Sequence, residues 1–124
     1  MAQFNGYYTY KGQRVDILEV TSAFNISTNI NLVECGNFAS GAAVTITLPD
    51  ALPGRYHEFH TNSAHVLTIS PQAADKLTTS VGVFLAVDTD IKSNAASAGQ
   101  SIRYRCINTG EWTCVGAVGT WVTV

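Results

Sequence analysis

The chain has 124 residues, 46% of them apolar and 13% charged, with a formal net charge of −2. The size fits one domain with its own core. The charge balance excludes a nucleic-acid binder, which needs a basic field. The longest apolar run, 81–87, is far short of the ~20 residues that cross a bilayer as a helix, so no membrane segment is expected.

The charged fraction is about half the usual ~25%. Ser, Thr and Asn fill the gap, so the surface is largely neutral and polar. Charge keeps a protein solvated and apart from its neighbours. A chain this poor in charge tolerates being covered, as a subunit of an oligomer or a shell is.

Residues 1–14 read as an extended arm. Phe4, Tyr7, Tyr8 and Tyr10 stand there beside Lys11 and Arg14, with Gly6 and Gly12 between them and no sustained period. Tyrosine buries much area at low rotamer cost, so these six side chains are the expected partner-binding set. The opening residues carry neither the basic nor the apolar stretch of a secretory leader. Synthesis in a cytoplasm is the expectation, and the three cysteines, Cys35, Cys106 and Cys114, lack CxxC spacing and read as buried apolar thiols.

From residue 15 to 124 strand follows strand. Val15 and Ile17 alternate with Asp16 and Leu18, and Ile30 and Leu32 alternate with Asn29 and Asn31. Val44, Ile46 and Leu48 give the cleanest two-residue period, closed by Pro49 and Asp50. Further strands are predicted over 55–60 and 66–70, with turns at Pro53-Gly54 and Asn62-Ser63. Residues 72–76 allow one helical turn. The run 81–87 reads as a strand buried on both faces.

The most detailed expectation is a hairpin over 101–115. A three-residue loop of Asn108, Thr109 and Gly110 pairs Cys106 with Trp112 and Tyr104 with Cys114. Gly110 supplies the left-handed residue, and the two cysteines lie diagonal, which disfavours a disulfide. Trp121 belongs to a closing strand. Short strands at roughly ten-residue spacing predict an all-β, antiparallel β-sandwich or jelly-roll-like single domain. Its expected core is Val44, Ile46, Leu48, Phe59, Leu67, Ile69, Val83, Leu85, Ile102, Tyr104 and Trp112.

Residues with chemical potential do not converge. His57 and His60 differ by three positions, so in a strand they project to opposite faces. With His65 and either Glu58 or Asp75 they are the only material for a transition-metal site. Asp88 and Asp90 suit a hard cation but lack the remainder of a calcium loop. Glu19, Glu34, Glu58 and Glu111 form no singled-out catalytic pair. No nucleophile elbow or phosphate loop is present, residues 36–41 included. No catalytic residue, metal or cofactor is expected.

The stretch VTITLPDALPGRYHEFHTNSAHVLTISP, 44–71, resembles a pattern of small structural proteins of tailed bacteriophages: a Thr-rich strand ending in Leu-Pro, a Gly turn, an aromatic strand and a second Thr/Ile strand. The stretch AGQSIRYRCINTGEWTCVGAVGTWVTV, 98–124, is similar to the companion pattern, ending in Gly-Thr-Trp. Together they cover a little over 40% of the chain. The chain thus looks like a capsid decoration, or cement, protein. That resemblance implies a homotrimer on the capsid exterior of a virion, clamping the major capsid protein without enzymatic activity and made in the host cytoplasm. The same patterns occur in tail-fibre domains. This gives the alternative expectation of a fibre, spike or baseplate component that binds a receptor or carbohydrate, with Trp112 and Trp121 as candidate sugar platforms. A third possibility is a small hydrolase or lyase built on the three histidines.

Overall fold

The computed structural model describes residues 2–26, 32–36, 41–94 and 97–124, with the backbone only at residues 2, 5 and 32–36. The expectations for Asn29, Ile30 and Asn31, and for the side chains of Leu32, Glu34 and Cys35, lie outside the described residues, as do four residues of 36–41. Among the described residues twelve strands form two sheets. They are β1 (Ala2–Tyr10), β2 (Gln13–Val20), β3 (Phe24–Asn25), β4 (Leu32–Gly36), β5 (Val44–Thr47) and β6 (Tyr56–His60), followed by β7 (Leu67–Ser70), β8 (Lys76–Leu77), β9 (Ile91–Ser93), β10 (Ser101–Cys106), β11 (Glu111–Val118) and β12 (Trp121–Thr123). The larger sheet runs β1-β2-β4-β6-β10-β11-β8 and the smaller β12-β9-β7-β5-β3.

The all-β sandwich expected from the sequence is what forms, but its strand directions differ from the antiparallel, jelly-roll-like pattern. From β2 to β7 the chain alternates between the two sheets, and β2, β4 and β6 run parallel in one while β3, β5 and β7 run parallel in the other. This is a coil of three turns. The Thr/Ile strands β5 and β7 illustrate why it works. Val44 pairs with Leu67 and Ile46 with Ile69, so like residues stack in register and one face stays continuously apolar. From β9 onward the pairings turn antiparallel, β9 on β7, β10 on β6 and β12 on β9, and β8 alone adds parallel to β11.

The two sheets close on one core. Leu18, Val20, Phe59, Ile102, Tyr104 and Trp112 from the larger sheet meet Ile46, Leu67, Ile69, Ile91 and Trp121 from the smaller. Each large side chain fully buried there contributes about 1.5–3 kcal/mol. Buried polar groups are tied down. The Tyr104 hydroxyl donates to the Thr78 carbonyl at 2.8 Å. The Asp75 carboxylate accepts from the buried Ala51 N–H at 2.8 Å. The Trp121 indole donates to the carbonyls of Ser101 and Val118.

The hairpin of β10 and β11 has the expected register, Cys106 opposite Trp112 and Tyr104 opposite Cys114. Gly110 takes φ +83°, and both cysteines are free thiols. A bulge between Arg103 and Tyr104 then shifts the register by one residue.

Several expectations are corrected. Residues 2–10, read from the sequence as an extended arm without partner strand, pair along β2 from Ala2 opposite Val20 to Tyr10 opposite Gln13. Lys11 and Gly12, both at positive φ, make the two-residue turn that matches the twist of paired strands. The pairing satisfies backbone groups on one side of a segment that would otherwise depend on water. The run 81–87 is not an interior strand. Gly82 at φ +87° reverses the chain, Leu85 N–H returns to the Leu77 carbonyl, and Phe84 bridges Thr78. Val81, Val83, Phe84 and Val87 therefore lie exposed on a turn, and only Leu85 of the run is half-buried. Residues 72–76 make a hydrogen-bonded turn, Asp75 N–H to the Gln72 carbonyl, and no helix.

Candidate functional site

The six expected partner-binding residues all lie on the β1–β2 hairpin, and the pleat sorts them onto two faces. Tyr7 stands opposite Asp16, and Thr9 opposite Arg14, on one side; Tyr8 stands opposite Val15, and Tyr10 opposite Gln13, on the other. A bulge at Phe4 and Gly6 moves Phe4 to the side of Tyr7, opposite Leu18. Residues paired directly across an antiparallel ladder share a face.

The side of Phe4, Tyr7 and Arg14 continues the core face, since Leu18 and Val20 of β2 are buried between the sheets. The larger sheet has seven strands and the smaller five. The hairpin overhangs the smaller sheet, and Phe4 and Tyr7 remain 52% and 58% exposed. Arg14 bridges them: its guanidinium lies 4.2 Å from the Tyr7 ring centroid and 5.5 Å from that of Phe4, and its Nε meets the Asp16 carboxylate at 2.7 Å. This is an apolar, cation-capped face with no second layer over it among the described residues.

The opposite side forms a wall of a groove of about 690 Å³ on the outer face of the larger sheet. Tyr8, Tyr10, Lys11 and Gln13 line one flank; Tyr56, Glu58, Arg103 and Arg105 line the other. Val15 belongs to its lining and is 2% exposed, yet it is outside the inter-sheet core.

Cross-strand register builds the far flank. Arg105 pairs with Tyr56 and Arg103 with Glu58. The Arg105 guanidinium sits 5.4 Å from the Tyr56 ring, and Arg103 Nε is 3.7 Å from Glu58. Glu58 also approaches His60 at 3.7 Å. Lys11 lies 5.5 Å from the ring of Tyr10 on the near flank. Gly116 opposes Arg103 across the bulge, and its missing side chain leaves room for the guanidinium. Burial raises the Tyr56 phenol above its ordinary value, the Glu58 charge adds to that, and Arg103, which hydrogen-bonds the phenol, and Arg105 oppose it.

The other candidates are dispersed. His57 is fully buried and packs on Trp112, and His60 is on the outer face, as the three-residue spacing required. Asp88 sits in a turn at φ 58°. Among the described residues no three His, Cys, Asp or Glu side chains gather as a metal site. Trp112 is wholly buried and Trp121 is 5% exposed, so neither offers a sugar platform. The sequence reading missed Tyr56, Glu58, Arg103 and Arg105 as a cluster. Their alternation within 56–58 and 103–105 was visible, but the parallel coil that sets them beside the hairpin was not.

No protein-family model matches the chain, and no curated protein matches it. Among the described residues no helix is long and apolar enough to cross a membrane.

Proposed function

We propose that the chain is a non-enzymatic structural protein of a bacteriophage particle. It binds the outside of the capsid as a homotrimer and holds neighbouring major capsid protein subunits together. One observation carries the adhesive reading: the overhanging face of Phe4, Tyr7 and Arg14 has the side-chain character of an interface, and no layer covers it among the described residues. The likeness of 44–71 and 98–124 to phage structural proteins supplies the particle.

The mechanism is burial. A stable contact covers ~800 Å² per partner, and three linked attachment points make release far slower than from one. The test is cryo-electron microscopy of intact virions together with quantitative mass spectrometry. Hundreds of copies on the head are expected, with occupancy reduced by the double substitution Phe4→Ala and Tyr7→Ala. Absence of the chain from purified particles overturns the reading.

A second reading, a fibre, spike or baseplate component that binds a receptor or carbohydrate, is favoured by the groove. Concave sites of ~300–1,000 Å³ suit small or extended ligands better than flat protein surfaces. A few copies per particle, at the tail, is the outcome that selects it.

A further inference from the structure

We infer that the groove between the β1–β2 hairpin and strands β6 and β10 binds a carboxylate-bearing oligosaccharide. The inference rests on the second reading above and names the ligand class of that groove.

Charge is the first argument. The chain has seven Lys and Arg residues against nine Asp and Glu, and among the described side chains the groove is lined by three of the cations, Lys11, Arg103 and Arg105, and by one acid, Glu58. On the two flanks of the groove positive charge therefore exceeds negative in a protein of net charge −2, and low-dielectric walls concentrate such a field. The ligand that complements it is anionic.

Preorganisation is the second. Lys11 lies over Tyr10 and Arg105 over Tyr56. Arg103 lies over Gly116, pairs with Glu58 and hydrogen-bonds the Tyr56 phenol. Aromatic faces hold cationic heads in place, so less side-chain freedom is lost when a carboxylate arrives. Arginine forks bind carboxylates through two hydrogen bonds.

The position of the groove on the sheet separates a saccharide from an acidic peptide. The groove lies on the face of a sheet, where β6 is hydrogen-bonded on both sides by β4 and β10. Its backbone offers no ladder for a peptide strand. What projects is a set of side chains: phenols, the Gln13 amide and the Glu58 carboxylate. Glu58 repels a run of acidic residues but accepts hydrogen bonds from sugar hydroxyls. A polyhydroxylated ring carrying one carboxylate matches both parts.

The experiment is isothermal titration calorimetry on the full chain at low and high salt. The carboxylated probes are tetragalacturonate and sialyllactose; maltotetraose is the neutral saccharide and tetraglutamate the acidic peptide. Binding of a carboxylated saccharide that weakens with salt is expected, with a loss of about tenfold in Arg105→Ala and in Lys11→Ala, the change that loss of one charge-assisted contact produces. Lys92→Ala, which removes the same charge from the smaller sheet, serves as the control and leaves affinity unchanged. Circular dichroism verifies that each variant is folded. Equal binding of maltotetraose overturns the anionic class and leaves a saccharide groove standing. Tighter binding of tetraglutamate replaces the saccharide by a peptide. Affinity insensitive to both groove variants moves the ligand elsewhere, and no binding of any saccharide overturns the groove reading as well.

Discussion

The imidazole of His57 packs on the indole of Trp112, with ring centroids 5.3 Å apart and planes tilted by 54°. Both rings are fully buried. They come from β6 and β11, the two strands that flank β10, so the contact ties three neighbouring strands of the larger sheet below its outer face. Trp112→Ala is expected to cost about 3–5 kcal/mol, the transfer term plus the cavity. Equilibrium urea unfolding measures it. A loss under 1 kcal/mol would mean that the hairpin face is not a cornerstone of the core.

Tyr104 makes a second buried connection. Its hydroxyl donates to the Thr78 carbonyl, and burial lifts the phenol far above its ordinary value of 10.0. Tyr104→Phe leaves that carbonyl without this donor and is expected to cost about 1–2 kcal/mol near neutral pH. The pH dependence has a definite sign. With a raised native pKa, the unfolded chain gives up the proton first, so the native state binds more protons and stability falls as pH rises above 10. The wild-type protein should lose stability through that alkaline range more steeply than Tyr104→Phe. Parallel unfolding curves with rising pH would contradict the burial of this hydroxyl.

Gly116→Ala probes the groove. An added Cβ falls on the Arg103 guanidinium, so the arginine must swing away. The obstructing atoms are the far end of a flexible side chain, and stability should change by under ~1 kcal/mol. The informative readout is Tyr56. Arg103 opposes the rise of its phenol, so displacing Arg103 should move Tyr56 ionisation to still higher pH. A spectroscopic tyrosine titration of Gly116→Ala against wild type detects this, and an unaltered Tyr56 titration would show that Arg103 had not moved.

The turn of the first hairpin can be improved. Lys11 and Gly12 both hold positive φ, 50° and 78°, the conformation that Asn-Gly adopts most readily. Lys11→Asn is expected to stabilise the chain by about 0.5 kcal/mol. Protection of β1 and β2 amides in hydrogen exchange should rise with it. Unchanged or faster exchange would indicate that the turn does not hold these strands together.

That same turn explains why residues 1–14 read as an arm. Two residues stand between Tyr10 and Gln13, the right number for a hairpin, but lysine is an unusual occupant of positive φ and gave no signal. The run 81–87 misled for the opposite reason. Its hydropathy matched a buried strand, yet Gly82 bends it outward and leaves Val81 84% exposed. The 101–115 hairpin was legible to the residue pair, because alternation, loop length and Gly110 all agreed. Nine of the eleven expected core residues are buried; Val83 and Leu85 are the exceptions, both from that run.

Local order was written in the chain itself: a two-residue period makes strands, Gly and Pro end them, and a 13% charged fraction leaves a largely neutral surface. Strand direction was not, because a pleated strand buries the same face whether its neighbour runs with it or against it. Only the assembled sandwich decided that β2, β4 and β6 coil in parallel, that Phe4 and Tyr7 extend past the smaller sheet, and that Tyr10, Lys11, Arg103 and Arg105 share one groove. Those are relations between segments up to about ninety residues apart, and no local pattern encodes which of them meet.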